Sequence, residues 1–358
     1  MVVSGEWLCW GLVVSGLDAP CTVAAIKLSE TQTHPSPTSR KSCKPHIPRN
    51  PSGACVNPLQ DICLLDGGLG QEIYRRASVT NAYLWSVEVM RREPEVVEAV
   101  HRAYIDAGSR VCTLNTYAAT PDRLRQEGLV ESLEAIHKTA FDICRAAIAS
   151  SGKAIDIAGS LGPLVGSYRE VPSLTDEAML NDYRRLCAAQ AGVDLFLIET
   201  MTNSREAMAA CHAAAETGIP YALALRVEHD GNLRSGESLL ETIKLAKAHN
   251  PSAVLINCSE PEVTTQVMPQ LATCDLPFGA YANGFVSVEA LPNGATVDAL
   301  ERRPDVTVEA YTDWALQWVT AGASVVGGCC EITPAHIDHL NRTLEQRTQV
   351  RRWSEMLK

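Results

Sequence analysis

No run of eighteen or more apolar residues occurs in the 358-residue chain, which excludes a membrane-spanning helix. The apolar stretch from Trp7 to Leu17 is short, and the first basic residue, Lys27, follows it. The positive n-region of a secretory signal is therefore missing. No GxGxxG opens the first βα unit, which disfavours a doubly wound dinucleotide-binding sheet. Excess positive charge is also lacking. The formal net charge of −11 argues against a nucleic-acid partner or an anionic membrane surface. The thirteen cysteines form no regular framework, and a chain this long needs no stapling. A reducing, cytoplasmic setting is expected.

A hydrophobic fraction of 46% with 20% charged residues is that of a globular protein with a core of ordinary size. The first 57 residues differ from the rest. Pro35, Pro37, Pro45, Pro48, Pro51 and Pro58 punctuate a Ser/Thr-rich and basic stretch that buries too little apolar surface to offset its ordering entropy. Residues 1–57 are read as a disordered or non-native extension, 58–345 as the folded domain and 346–358 as a C-terminal tail.

From Ile62 onward, short β-rich runs alternate with helical stretches, the pattern of βα units around a parallel sheet. Eight runs are expected as strands: 62–66, 110–115, 155–160, 195–199, 221–226, 253–258, 278–283 and 324–329. Helices are expected over 94–107, 129–150, 176–191, 204–217 and 238–249. Eight such units in this length match a (β/α)8 TIM barrel better than a doubly wound open sheet. His101, His137 and His212 fall on the expected helices and read as surface residues. Val96, Val97, Val100 and Tyr104 share one helix face and read as core.

A barrel builds its active site at the C-terminal strand ends. Those ends carry Asp66-Gly67-Gly68, Asn115, Ser160, Glu199, Arg226, Cys258, Asn283 and Gly327-Gly328-Cys329-Cys330. Adjacent cysteines seldom bond to each other, and two preceding glycines would let the backbone turn both sulfurs to one point. The ends of strands six and eight lie within side-chain reach in a closed barrel, so Cys258 supplies a third thiolate. Three thiolates with one open position describe a catalytic zinc site. Three buried core thiols are the alternative. Arg226 either binds a carboxylate or pairs with Glu228 or Glu237, and pairing is favoured.

The ordered series Asp66-Gly67-Gly68-Leu69-Gly70, Leu84-Trp85-Ser86, Thr113-Leu114-Asn115-Thr116-Tyr117, Gly159-Ser160-Leu161-Gly162-Pro163, Glu199-Thr200, Asn257-Cys258 and Gly327-Gly328-Cys329-Cys330 resembles the homocysteine S-methyltransferases over about residues 60–342. The resemblance implies a (β/α)8 zinc enzyme that methylates homocysteine to methionine. It implies zinc ligands at Cys258, Cys329 and Cys330, with no catalytic group beyond the zinc site. It also implies amino-acid recognition by Asp66, Gly67 and Glu199, and an oxygen from Asn283 as a fourth ligand when homocysteine is absent.

Under that reading Asp66 and Glu199 accept the substrate ammonium, with helix capping and ion pairing as their structural alternatives. Ser160 and Asn115 are expected on the methyl-donor side, or as satisfied strand-end polar groups. The donor must carry an activated methyl group. S-methylmethionine is preferred over S-adenosylmethionine, and no residue separates the two. Betaine or a corrinoid partner is the alternative, although 28 residues beyond Cys330 leave little room for added domains. A monomer or small homo-oligomer is expected. A zinc hydrolase barrel is disfavoured, because such barrels rely on His and Asp ligands. A non-catalytic barrel that binds thiol amino acids or zinc is the non-enzyme alternative.

Overall fold

A computed structural model of the chain describes residues 60–79, 83–287 and 300–357. The extension read over residues 1–57 lies outside the described residues. Eight parallel strands occur where eight were expected: β1 (Asp61–Leu64), β2 (Val111–Thr113), β3 (Asp156–Leu161), β4 (Leu195–Met201), β5 (Tyr221–Leu225), β6 (Ala253–Asn257), β7 (Phe278–Tyr281) and β8 (Val325–Val326). Each pairs with the next from β2 to β8, and β8 pairs with β1. Between β1 and β2 the seam is narrow. Arg110 N donates to Leu64 O at 2.8 Å, and the Asp66 carboxylate then receives Thr113 N at 2.7 Å. The architecture is a (β/α)8 barrel.

Strand periodicity separates two apolar layers. Cys63, Leu65, Val111, Leu197, Ala224 and Leu255 pack in the barrel lumen. Their sequence neighbours, including Leu64, Cys112, Ile198, Leu223 and Ile256, pack against the helices. Those helices are α1 (Leu69–Arg76), α2 (Ser86–Arg92), α3 (Pro94–Asp106), α4 (Pro121–Gln126), α5 (Leu133–Ser151), α6 (Asp176–Ala189), α7 (Ser204–Thr217), α8 (Leu239–Ala246), α9 (Pro261–Leu271), α10 (Val308–Thr320) and α11 (Pro334–Glu345). Proline opens α3, and Thr175 and Asn203 accept backbone N–H groups at the starts of α6 and α7, as helix starts require. Gly152 and Gly218 close α5 and α7 in the left-handed conformation.

Two of the three helix histidines depart from the surface reading. His101 and His137 are fully buried. The face of α3 that carries Val97, Val100 and Tyr104 also carries His101, and His137 Nε2 lies 2.9 Å from Ala119 O. His212 is exposed, stacks on His249 and faces Glu216.

The segment beyond residue 345, expected as a tail, contains two further elements, β9 (Gln349–Arg351) and α12 (Trp353–Met356). β9 pairs in parallel with Asp61–Cys63 of β1. Trp353 then enters the luminal cluster with no solvent exposure. Asp156, at the start of β3, holds this floor by accepting Ser354 N at 2.7 Å and Ser354 Oγ at 2.9 Å. Burial of one large indole outweighs the short length of the segment. Trp353→Ala should therefore destabilise the barrel by about 3–5 kcal/mol, measured as a shift in the denaturant midpoint.

Candidate metal centre and substrate pocket

Cys258 follows the last residue of β6 with φ +50°, a left-handed conformation rare for a side-chain-bearing residue. Thr200, near the end of β4, is also left-handed, with φ +63°. Asn257 clamps the two strand ends together. Its Oδ1 accepts Thr200 N at 2.9 Å and its Nδ2 donates to Thr200 Oγ1 at 2.9 Å. Such strain persists where surrounding structure over-determines it.

After β8, Gly327 and Gly328 are needed for space rather than for a left-handed turn. A Cβ on Gly327 would stand 2.6 Å from Leu65 Cβ, and one on Gly328 would stand 2.3 Å from Ile332 Cγ2. The left-handed residue of this loop is Glu331, φ +66°. Cys329 N donates to Ala282 O at 3.0 Å, which ties the cysteine pair to the end of β7.

Three sulfurs converge as a result. Cys258 Sγ lies 3.7 Å from Cys330 Sγ, and Cys329 Sγ lies 4.0 Å from Cys330 Sγ. All three lie within 4.8 Å of one another. Tetrahedral thiolates at a metal–sulfur distance of about 2.3 Å stand about 3.8 Å apart, so the donor set fits such an ion. The trio divides its protons unequally. The Cys329 and Cys330 thiols and the Tyr168 hydroxyl hold Cys258 well below the usual thiol range, and serving as donors to Cys258 pushes the other two up. Full ionisation of three clustered thiols needs a cation.

The sulfurs border a pocket of about 760 Å3, counted out into the solvent at its mouth. Asp66 is buried, with Oδ2 accepting Thr113 N at 2.7 Å and Oδ1 accepting Thr113 Oγ1 at 2.8 Å. Burial pushes its carboxyl up to about 6. Glu199, half-buried, is pushed up to about 7 by burial, with Asp66 and Cys258 adding to the shift. Ser160 Oγ donates to Glu199 Oε1 at 2.6 Å and Tyr281 OH to Oε2 at 3.2 Å.

The match to the family model for homocysteine S-methyltransferase spans residues 63–344. The chain belongs to this family. A homocysteine S-methyltransferase of Escherichia coli (strain K12) is 30% identical over 313 residues, which covers 80% of this chain and 96% of that protein. A selenocysteine Se-methyltransferase of Brassica oleracea var. italica is 26% identical, covering 79% of this chain and 89% of that protein. The metallated form of the homocysteine methyltransferase MmuM from Escherichia coli superposes with a TM-score of 0.68 at 28% identity, over 79% of this chain and 96% of that one.

Within this family member the remaining expected residues fall as follows. Gly67 lines the pocket, and a Cβ there would meet Ile332 O at 2.4 Å. Asn115 lines it too, locked to Ser86 by two hydrogen bonds of 2.7 and 2.9 Å. Ser160 orients Glu199 and does not line the pocket. Asn283 points its amide nitrogen at Cys258, donating to Cys258 O at 2.7 Å, while its oxygen accepts Phe285 N at 3.1 Å. In this arrangement that oxygen faces away from the sulfurs.

The oxygen beside the cluster belongs instead to Tyr168, whose hydroxyl lies 3.0 Å from Cys258 Sγ. Tyr168 sits on the long loop after β3, where no periodicity marks a side chain's direction. Arg226 stacks over its ring at 5.2 Å and pairs with Glu228, as favoured, whereas Glu237 accepts from Ser204. A second thiol–imidazole group, His101, Cys112 and Cys144, is buried between β2 and the helices. Burial pushes His101 down to about 4, which keeps the ring neutral in this part of the core.

An acid whose pKa is raised by the fold loses stability as pH rises from its unfolded value through its folded one. For Glu199 that window runs from the ordinary carboxylate range to about 7. Glu199→Gln should raise the thermal midpoint more at pH 8 than at pH 5. A gain independent of pH would contradict the burial account of this carboxyl.

Proposed function

We propose that this chain transfers a methyl group from a sulfonium donor to the thiol of homocysteine, with a zinc ion held by Cys258, Cys329 and Cys330. The observation that carries this reading is the convergence of three sulfurs, 3.7 and 4.0 Å apart, beside a pocket with two carboxylates. Zinc, when bound, lowers the pKa of a coordinating thiol enough to hold it as a thiolate near neutral pH. The cysteine thiolates outnumber the positive charges of the ion and keep the neighbouring sulfur electron-rich. Imidazole ligands in their place would leave less electron density for nucleophilic attack.

Asp66 and Glu199 receive the substrate ammonium, and each is held ready by donors on its far side: Thr113 for Asp66, Ser160 and Tyr281 for Glu199. Their raised pKa values make ammonium binding favour the ionised form, so binding releases protons below about pH 7. Thr113, locked to Asp66, and Asn115, locked to Ser86, keep the wall fixed while the donor enters. The homocysteine thiol gives up its proton to solvent water, and its sulfur lone pair attacks the donor methyl carbon. The carbon–sulfur bond of the donor breaks with its electrons returning to the sulfonium sulfur. With S-methylmethionine both products are methionine.

S-methylmethionine is the preferred donor over S-adenosylmethionine. Relatives named for selenocysteine make selenocysteine the second acceptor to assay. The nine cysteines among the described residues are all unpaired, which fits a reducing compartment, and we place the protein in the cytoplasm.

Cys330→Ser should lower bound zinc from about one per chain to a small fraction and abolish methionine formation. Elemental analysis and a donor screen on the zinc-loaded protein measure both. Full metal content with full activity in that variant would overturn the assignment.

A further inference from the structure

Among the described residues the pocket lining includes the Asp66 and Glu199 carboxylates and three cysteine sulfurs, but no lysine or arginine. An α-amino acid brings a carboxylate as well as an ammonium group. A buried carboxylate requires hydrogen-bond donors. The glycines after Asp66 answer this only in part, because Gly68 N already donates to Ile332 O at 2.8 Å.

Two side-chain donors in the same lining are unused. Gln71 Nε2 and Trp85 Nε1 are both buried and find no hydrogen-bond partner among the described residues. Gln71 itself is only 7% exposed. A buried N–H without a partner is costly and calls for a physical explanation. The two residues, whatever the direction of each N–H group, belong to one corner of the pocket. Gln71 sits in the first turn of α1, directly after the Asp66-Gly67-Gly68 strand end. The Trp85 ring packs on that same turn, so closely that a Cβ on Gly70 would stand 2.3 Å from it. The Gln71 amide also lies close enough to Cys330 to favour its thiolate, although no hydrogen bond of ordinary length and angle forms.

The groups of homocysteine map onto this corner. Its sulfur, at the cysteine cluster, is separated from the α-carbon by two methylenes. Its ammonium at Asp66 and Glu199 and its carboxylate share that α-carbon, so the carboxylate must fall near the strand end that carries Asp66. We propose that Gln71 Nε2–H and Trp85 Nε1–H receive the α-carboxylate of the amino-acid acceptor and select α-amino acids over simple thiols. This rests on the thiol-methyltransfer reading of the pocket. Neutral donors suit the place, because an arginine or lysine would pair with Asp66 or Glu199 and draw charge from the thiolates.

The test is a ligand-by-mutation cycle read by titration calorimetry on zinc-loaded protein. The ligands are homocysteine and 3-aminopropane-1-thiol, which is homocysteine without its carboxylate. Wild type should bind homocysteine about 10- to 100-fold more tightly than the aminothiol. Gln71→Met and Trp85→Phe should each weaken homocysteine about 10-fold more than they weaken the aminothiol. Equal weakening of both ligands, no weakening, or an effect confined to the KM of the sulfonium donor would overturn the proposal. If either variant fails to fold, wild type still decides, because equal binding of the two thiols by wild type overturns it. A cycle that behaves as expected in a protein that forms no methionine would instead sink the methyl-transfer reading and leave the carboxylate site standing.

Discussion

The Asp66 carboxylate joins two strands that the backbone barely connects. Between β1 and β2 the backbone contributes Arg110 N to Leu64 O, and the next links upward are Thr113 N and Thr113 Oγ1 to the two oxygens of Asp66. The barrel is thus closed, at its catalytic end, by a side chain that also faces the pocket. On the other side of the barrel β6 and β8 flank β7, which brings Cys258, Cys329 and Cys330 within reach of one another. The same burial that makes Asp66 a useful strand clasp raises its pKa to about 6, so the seam and the pocket wall share one electrostatic environment. A substitution at Asp66 changes fold and site together, whereas Glu199 lies on a fully paired strand and can be altered with less effect on closure.

The sulfur cluster is assembled by local strain held in place from outside. Cys258, Thr200 and Glu331 all adopt left-handed backbone conformations, each disfavoured for a residue with a Cβ. The Asn257–Thr200 clamp and the bond from Cys329 N to Ala282 O hold these turns. Gly327, Gly328 and Gly67 serve the opposite need. They leave room where strand ends and the α1 turn press against Leu65, Ile332 and Tyr104. The fold itself therefore holds the three sulfurs near the spacing of a tetrahedral metal site.

Much of this was legible in the chain. Apolar runs of strand length, alternating with amphipathic stretches, specified the eight units because side-chain period and element length are local properties. The helix from Ser204 to Thr217 appears at the expected residues, since its asparagine cap and closing glycine are local signals too. Cys258 and the Cys329–Cys330 pair were legible because strand ends in a barrel converge wherever the strands are counted correctly. His101 and His137 were misread because a lone histidine on a helix carries no mark of which face meets the sheet. The orientation of the Asn283 amide was not legible, because it is set by Phe285 N and Cys258 O, partners fixed by how the loop after β7 folds.

By itself the sequence determined the barrel, the three sulfurs and the two carboxylates, because each depends on strand order and on residue types at strand ends. Only the tertiary structure decided which atoms face the pocket and with what protonation. Tyr168 reaches Cys258 from a loop without periodicity. Gln71 and Trp85 present unused N–H groups because α1 and the loop before α2 pack on each other. Glu199 rises to about 7 because the barrel wall removes it from water. These depend on contacts between distant segments and on desolvation, and neither quantity exists until the chain has closed.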